Sequence, residues 1–330
     1  MQRWQDLTDI PGGIGPTVVT IGVFDGVHRG HQRVIGRTVE LARERGALAV
    51  VVTFDPHPMS VVRPDAVPPL LATLDRRIQL FDDYAVDAVL VVPFDRERSR
   101  QPAEEFVREI VGALRPVAIV VGDDFRFGFK ATGDVGLLRR LGTELGFDVE
   151  GLVRRDSSGD GSGEVSRGVP TDAVSSTAVR RALERGDVAG ARELLGHPFR
   201  VDGVVVEGAH RGRELGFPTA NVPAMAGMAL PADGVYAGWL RVVDGDGSGP
   251  VPTLEAMPAA ISVGTNPQFG EEPRRVESYV LDRDDLELYG REVTVEFVAR
   301  VRGQERFDSV DALVSQIGAD VERVRADLAT

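Results

Sequence analysis

The chain of 330 residues contains no cysteine. Disulfide bonds, thiolate ligands for a metal and a cysteine nucleophile are therefore excluded. The N-terminal sequence MQRWQDLTDI has neither the basic start nor the apolar stretch of a signal peptide. A reducing compartment is compatible with both observations, and we expect a cytoplasmic protein.

Lysine is almost as scarce. The one lysine, Lys130, lies in GFKATG and is followed by Ala131. A P-loop for nucleotide phosphates needs Gly-Lys followed by Ser or Thr, so this chain has none. Any phosphate group must instead be bound by arginine, histidine, backbone amides or a metal ion.

Long apolar stretches and an excess of positive charge are also missing. No apolar run approaches the roughly 18 residues that a membrane span requires. The net charge is -13, whereas a general surface for nucleic acid or anionic lipid needs a positive field. We expect small-molecule substrates as partners, with no nucleic acid and no membrane. The sequence does not indicate an oligomeric state.

Short apolar runs alternate with amphipathic stretches in the first half of the chain. The pattern predicts strands over 18–23, 48–53, 88–92, 117–121 and 149–153, and helices over 31–45, 73–84, 103–114 and 135–145. Such alternation is typical of a parallel sheet covered on both faces. We predict a doubly wound α/β domain with its site at the carboxyl ends of the strands.

The second half has a different period. Alternating runs over 201–206, 235–243, 258–263, 276–281 and 292–301 predict an antiparallel β-barrel, and 309–328 predicts a terminal helix. The Gly/Ser-rich stretch around 157–168 predicts a flexible surface loop. We place an α/β domain at 1–186, a helical linker at 187–197 and the barrel at 198–330.

The segment TIGVFDGVHRGH joins the first predicted strand to the first predicted helix. Gly22 and Gly26 permit close backbone approach to a ligand. His28 and His31 can face the same way if the turn enters a helix. Imidazoles there can donate hydrogen bonds to a phosphoryl group, and a helix cap with two partly buried histidines is the alternative.

Two further motifs follow predicted strands. In FDPHP, Pro56 and Pro58 on either side of His57 hold the chain extended, and taken alone the motif is explained better by a rigid exit loop than by a binding site. In GDDFRFG, Asp123 and Asp124 are possible ligands for a metal or for ribose hydroxyls. Phe125 and Phe127 are possible partners for a flat ring. An acidic turn with core aromatics is the alternative for that motif.

SSTAVR, from Ser175 to Arg180, predicts a helix start after the Gly/Ser-rich loop. A helix N-terminus carries partial positive charge and suits a phosphate tail, and Arg180 adds a bidentate donor. Simple capping explains the serines without any ligand.

GAHRGRELGFPTANV joins a basic loop to a strand. Backbone amides near Gly208, together with Arg211 and Arg213, can line a phosphate site. Thr219 and Asn221 alternate along the strand and so point to the same side, where their oxygens suit Mg²⁺. A basic hairpin on a barrel is the alternative.

Glu277, in RRVESYVLD, interrupts an apolar pattern. A carboxylate there can accept the proton of an attacking hydroxyl. A salt bridge with Arg274 or Arg275 is the alternative.

Taken in order, TIGVFDGVHRGH, TFDPHP, VGDDFRFG, VSSTAVR, GRELGFPTANV, SVGTNPQF and VESYVLD resemble the prokaryotic bifunctional riboflavin kinase/FAD synthetase family. The resemblance covers nearly the whole chain. It implies an N-terminal doubly wound nucleotidyltransferase domain that makes FAD from FMN and ATP. It also implies a C-terminal antiparallel β-barrel flavokinase domain with a terminal helix, which makes FMN from riboflavin and ATP with Mg²⁺ as the cofactor.

The resemblance also implies roles for individual residues. Adenylyl transfer and phosphorylation would be catalysed by His28, His31 and Glu277. ATP would be bound by Gly22, Phe24, Gly26, Ser176, Thr177, Arg180, Gly208, Arg211 and Arg213. The flavin would be bound by Pro56, Pro58, Asp124 and Phe125, and Mg²⁺ by Thr219 and Asn221. Some relatives carry Asn where this chain has Asp124.

Two other functions compete with this one. A flavin-binding regulator that lost turnover would keep the fold but would not need His28, His31 and Glu277 intact. A different nucleotidyltransferase fused to a barrel would leave GFPTANV and VESYVLD without a purpose.

Overall fold

The computed structural model describes residues 1–153, 174–208, 212, 215–243, 256–265 and 274–329. The chain divides into two compact units, Met1–Ser175 and Ser176–Thr330. The predicted flexible loop around 157–168 lies outside the described residues.

The first unit contains a six-stranded sheet in which all neighbouring strands are parallel. The spatial order is β1-β4-β3-β2-β5-β6. The strands are β1 Gln2–Trp4, β2 Thr17–Ile21, β3 Leu48–Asp55, β4 Ala88–Pro93, β5 Pro116–Gly122 and β6 Asp148–Leu152.

Helices connect these strands and cover the sheet on both faces. They are α1 Arg29–Glu44, α2 Pro58–Val62, α3 Leu74–Asp83, α4 Ala103–Leu114 and α5 Val135–Leu145. One apolar cluster joins α4 and α5 to the sheet, and two others join α1 and α3 to its opposite face. The prediction of a doubly wound parallel-sheet domain is confirmed.

The path of the chain places three sequence motifs close together. From β2 the chain moves outward to β3 and β4, then returns to β5 on the other side of β2. The loops that follow β3, β2 and β5 therefore leave the same edge of the sheet from three adjacent strands. This reversal of strand order is where open α/β sheets bind their ligands.

The structure adds two elements that the sequence pattern does not predict. The edge strand β1 has only three residues, of which Trp4 alone is buried, so it shows no measurable period. The helix α2 begins at Pro58, within the FDPHP motif, where the sequence predicts a rigid exit loop and no helix.

The second unit begins with two helices, α6 Ser176–Glu184 and α7 Val188–Leu195. Its antiparallel sheet has the order β7-β12-β9-β10-β11-β8. The strands are β7 Phe199–Val204, β8 Thr219–Pro223, β9 Gly234–Val243, β10 Met257–Gly264, β11 Arg275–Val280 and β12 Glu292–Gly303.

This sheet curls into the predicted barrel-like form. Its two edges approach each other, and a bridge forms between Val206, just after β7, and Asn221 of β8. The terminal helix α8, Val310–Leu328, packs on the outside of the sheet through Val321 and Val324. Across the described ranges, no helix is both long and apolar enough to cross a membrane.

Two neighbouring leucines on α5 test the packing of the apolar cluster that joins α4 and α5 to the sheet. Leu138 is fully buried, whereas Leu137 is only partly buried against the same cluster. Leu138→Ala is expected to lower the free energy of unfolding by about 2–5 kcal/mol, and Leu137→Ala by clearly less.

The measurement is denaturant unfolding in a Trp239→Phe background, in which the fluorescence of Trp4 reports on this cluster alone. Equal losses for the two variants would contradict the packing described.

Candidate active sites

The first candidate site begins with a strained turn after β2. Phe24, Gly26 and Val27 all have positive φ angles, of 54°, 76° and 42°. Val27 is β-branched and fully buried, so this conformation costs energy and persists only because its surroundings impose it. The turn therefore leads into α1 with a fixed geometry.

A buried carboxylate holds this turn against a neighbouring loop. Asp25 accepts hydrogen bonds through Oδ1 from the backbone N–H groups of Leu71, at 2.9 Å, and Ala72, at 3.2 Å. The loop that leads into α3 is thereby tied to the FDG turn.

A buried arginine from α3 clamps the ends of β2 and β3. Arg77 donates through Nη1 to the carbonyl oxygen of Val23, at 2.6 Å, and to the hydroxyl of Thr53, at 3.0 Å. Burial lowers the pKa of the Arg77 guanidinium, while the carboxylates of Asp25 and Asp55 act in the opposite direction. Arginine remains protonated under such opposing influences because its usual pKa is so high.

Sequence reasoning missed Asp25 and Arg77. Their partners lie dozens of residues away along the chain. The only available signal was charge inside segments that otherwise follow an apolar pattern.

His28 and His31 lie directly after the turn, at the start of α1. Their rings are stacked, with centroids 3.6 Å apart and planes inclined by 18°. His28 is also the N-cap, since its Nδ1 accepts the backbone N–H of His31 at 3.3 Å. A neutral His28 ring that accepts at Nδ1 carries its proton on Nε2, which can then donate to a ligand.

The prediction that these two imidazoles face the same way is confirmed. The helix-cap alternative is also correct. His28 both caps α1 and stacks on His31. The ring of Phe24 meets His31 edge-on, with centroids 5.2 Å apart, which fixes the pair from a second side.

The FDPHP motif follows β3. Pro56 is exposed and Pro58 opens α2. His57 caps that helix, because its Nδ1 accepts the backbone N–H of Met59 at 3.1 Å. The two prolines thus lie at the same sheet edge as the histidine pair, and the role of His57 is structural.

The GDDFRFG motif follows β5. Asp123 and Asp124 are exposed, and Phe125 is half-buried. Phe127 belongs to the core and stacks on Phe125 with centroids 5.2 Å apart, so it is not available to a flat ligand. The interpretation of Phe127 as a ring partner is therefore wrong, while the assignment of Phe125 to the flavin stays a prediction.

Ser176, Thr177 and Arg180 lie in the first half of α6, as the helix-start pattern predicts. They belong to the second compact unit. Their predicted contact with ATP phosphates stays a prediction.

The second candidate site is a cavity of about 250 Å³ in the second unit. It is lined by the loop before β8, by β8 and β11, by the segment after β11, and by residues from the end of β12 into α8. We call Gly208, Gly212, Thr219, Asn221, Arg275 and Glu277 the polar wall of this cavity.

Strand register brings the predicted polar residues of this cavity together. In the antiparallel pair, Asn221 lies directly opposite Glu277, and Thr219 lies opposite Tyr279. Alternate residues of a strand share a face, so Thr219, Asn221 and Glu277 lie on one surface. The prediction that Thr219 and Asn221 point to the same side is confirmed.

The Asn221 amide is held in place by its neighbours. Its Nδ2 donates to the carbonyl oxygen of Thr219 at 3.2 Å, which leaves Oδ1 as the atom for a cation. A Cβ on Gly208 would lie 2.5 Å from that Nδ2, and a Cβ on Gly212 would lie 2.4 Å from the Phe217 oxygen. Only glycine permits the loop to approach so closely. Arg211 and Arg213 lie outside the described residues.

Glu277 has an arginine nearby. The Nε of Arg275 lies 4.0 Å from Glu277 Oε1, at the outer limit of an ion pair. Arg274 instead pairs with Asp233 at 2.7 Å. The Glu277 carboxylate on the cavity wall can accept a proton. The nearby Arg275 guanidinium is a group that can bind phosphate.

The oxygen donors at this wall fit a magnesium ion that also binds phosphate. A hydroxyl and an amide oxygen are hard ligands, and Mg²⁺ typically completes its shell with water and substrate phosphates. In the part of the chain that the structure describes, no cluster of three or more histidine or carboxylate side chains could hold a metal by itself.

Sequence reasoning missed most of the apolar residues that line this cavity, and it missed an ion pair among the lining residues. Phe217, Tyr279, Leu286 and Phe307 contribute apolar surface, and Arg302 and Asp320 contribute the pair. The one signal was Asp320, an acidic residue within the apolar spacing of the terminal helix.

Comparisons with known proteins agree with this two-site arrangement. The FAD synthetase family matches residues 14–163, and the riboflavin kinase family matches residues 195–328. A bifunctional riboflavin kinase/FMN adenylyltransferase of Escherichia coli K12 is 38% identical, over 92% of this chain and 90% of the relative. One from Pseudomonas fluorescens is also 38% identical, over 94% of this chain and 92% of the relative.

One solved structure is similar over nearly the full length. It is a Streptococcus pneumoniae protein described as a macrolide-efflux protein, with a TM-score of 0.79, 29% identity and 98% of each chain covered. Both family matches occur in the order of the two sites, and the curated relatives are matched over about nine tenths of their length. The chain therefore belongs to the bifunctional riboflavin kinase/FMN adenylyltransferase family.

Proposed function

We propose that the cavity of the second unit is the site where ATP phosphorylates riboflavin, and that the His28–His31 turn is the site where FMN is adenylylated. The observation that carries the proposal is the pairing of Asn221 with Glu277, beside Thr219, on one wall of a cavity. The predicted cytoplasmic location belongs to the same proposal.

In the kinase reaction, Glu277 is the general base. Its carboxylate accepts the proton of the riboflavin 5′-hydroxyl as that oxygen attacks the γ-phosphorus of ATP. The bond from the γ-phosphorus to the bridging oxygen breaks, and ADP leaves. Gly208 and Gly212 let the loop backbone approach the phosphates, and Arg211 and Arg213 would add charge.

Thr219 Oγ1 and Asn221 Oδ1 would hold Mg²⁺ at this wall. Bound there, Mg²⁺ would neutralise negative charge on the ATP phosphates. The residues on this wall contribute orientation, because the Asn221 amide is fixed by the Thr219 carbonyl oxygen.

In adenylyl transfer, a phosphate oxygen of FMN attacks the α-phosphorus of ATP and pyrophosphate leaves. His28, through Nε2–H, and His31 donate hydrogen bonds to the α-phosphate as its charge grows. The backbone amides at the start of α1 add partial positive charge. In the first unit, ATP would be bound by Gly22, Phe24 and Gly26, and FMN by Pro56, Pro58, Asp124 and Phe125. In the second unit, Ser176, Thr177 and Arg180 are proposed to bind ATP phosphates.

The direct test is incubation of the protein with riboflavin, ATP and Mg²⁺, followed by chromatographic separation of flavins. The proposal expects FMN first and FAD afterwards. Flavin binding without either product would instead identify a flavin-binding regulator, and adenylylation of another phosphate ester in preference to FMN would identify a different transferase.

Removing the base should affect one reaction only. Glu277→Gln keeps the shape of the side chain but cannot accept the proton, so riboflavin phosphorylation should fall by about a hundredfold or more. FMN adenylylation should stay at the wild-type rate. Glu292→Gln, an exposed glutamate on β12, is the matched control and should retain both activities.

Removing a histidine should do the reverse. His31→Ala should reduce FMN-to-FAD conversion by about a hundredfold or more, because it removes a donor to the α-phosphate. Riboflavin phosphorylation should be unaffected. The proposed division of labour is wrong if either variant loses both activities while remaining folded.

The metal assignment is tested by two substitutions at one position. Thr219→Val removes the hydroxyl at nearly constant volume and should raise the Mg²⁺ concentration for half-maximal phosphorylation by about tenfold or more. Thr219→Ser keeps the hydroxyl and should restore most of the Mg²⁺ affinity. If valine and serine give the same Mg²⁺ dependence, Thr219 is not a ligand.

A further inference from the structure

One wall of the second-unit cavity is formed by the segment that leads from the end of β12 to the start of α8. Arg302, Gln304 and Phe307 of this segment all line the cavity. Leu313 and Ile317 of α8 add apolar surface to the same cavity. Thr219 and Asn221 lie on β8 and Glu277 on β11, so the segment is separate in the chain from the residues proposed for phosphoryl transfer.

Arg302 is bound to α8 by a bidentate ion pair. Its Nε donates to both carboxylate oxygens of Asp320, at 3.0 Å each, and its Nη2 donates to Oδ2 at 2.7 Å. Asp320 is only 4% exposed, and Gln316 donates a further hydrogen bond to it at 2.9 Å. Removal of either charge would leave the other poorly solvated, so the pair holds β12 and α8 in one arrangement.

The same arginine contacts an aromatic ring of the wall. The Cζ atom of Arg302 lies 5.6 Å from the centroid of the Phe307 ring, within range of a cation–π interaction. Between these two residues, Gln304 donates through Nε2 to the hydroxyl of Ser262, at 3.3 Å, and to the Val263 carbonyl oxygen, at 3.2 Å. Contacts at Arg302 and Gln304 therefore anchor the first half of the segment, and the Phe307 ring lies against the anchored Arg302.

We propose that Arg302 and Asp320 are positioning residues for the flavin. The ion pair fixes the segment that carries Phe307, and the Phe307 side chain forms an apolar surface on which the flat ring system of riboflavin packs. This inference rests on the proposed kinase function of the cavity. It makes the pair a determinant of riboflavin affinity and not of the phosphoryl-transfer step, which is assigned to Thr219, Asn221 and Glu277.

The chain provides a matched control on the same helix. Arg325 of α8 makes a bidentate ion pair with Asp282, just after β11, at 2.7 and 3.1 Å. This pair has the same chemistry and also anchors α8. It is exposed, at 46% and 70%, and does not belong to the cavity lining.

The experiment compares Asp320→Asn with Asp282→Asn. For Asp320→Asn, the KM of riboflavin in the kinase reaction and its Kd should both rise by about tenfold, while kcat changes less than about twofold. The Kd is measured from the change in riboflavin fluorescence on binding. Asp282→Asn should leave KM, Kd and kcat at wild-type values.

Three further variants separate positioning from general stability. Arg302→Lys keeps the positive charge but cannot make the bidentate contact with Asp320. Its KM for riboflavin should therefore lie between those of the wild type and Asp320→Asn. Phe307→Leu should raise KM as Asp320→Asn does, whereas Phe307→Tyr should stay near wild type. The fluorescence of Trp239 in β9, read in a Trp4→Phe background, shows whether the second unit is folded in each variant.

The outcomes distinguish this inference from the proposed function. If the wild-type protein does not phosphorylate riboflavin, the proposed function fails. If it does, but folded Asp320→Asn and Phe307→Leu proteins keep the wild-type KM, the inference fails. It also fails if kcat falls while KM and Kd stay unchanged, because the pair would then act on the chemical step.

Discussion

Strand register is the constraint on which both candidate sites depend. In the second unit, the pairing of β8 with β11 places Asn221 directly opposite Glu277. A slip of one residue would turn Glu277 to the other face of the sheet, where the buried Val276 and Ser278 now lie. In the first unit, parallel pairing of β3, β2 and β5 brings three motif loops to one edge. Hydrogen-bonded ladders, and not the motifs themselves, therefore determine which side chains meet.

In each unit a mostly buried arginine ties a helix to the sheet close to the candidate site. Arg77 binds the ends of β2 and β3 behind the histidine turn, and Arg302 binds α8 beside the cavity. Neither belongs to the residues proposed to contact the reacting phosphates. A buried guanidinium requires several well-placed acceptors, so it favours one arrangement of the surrounding backbone over others. The two sites therefore have this feature in common although they lie in different folds.

The regular elements were predictable because their signals are local. The apolar period identified the main helices and strands of the first unit, and the alternation along β8 placed Thr219 and Asn221 on one face. The three-residue strand β1 carried too little pattern to detect. The Arg77 and Asp320 contacts join residues far apart in sequence, and their geometry depends on packing that no local pattern encodes. The prediction of Phe127 as a ligand contact was wrong because the sequence pattern around an aromatic residue does not distinguish a core position from a binding site.

We propose that two independent sites on one chain carry out successive reactions. The most direct measurement mixes two proteins, Glu277→Gln and His31→Ala, with riboflavin, ATP and Mg²⁺, and follows FAD over time. Each protein alone should make little FAD from riboflavin. The mixture should make FAD, because FMN released by the His31→Ala protein is a substrate for the intact histidine site of the Glu277→Gln protein. If both proteins are folded and the mixture makes no more FAD than the two separate proteins, the two reactions do not occur at two independent sites.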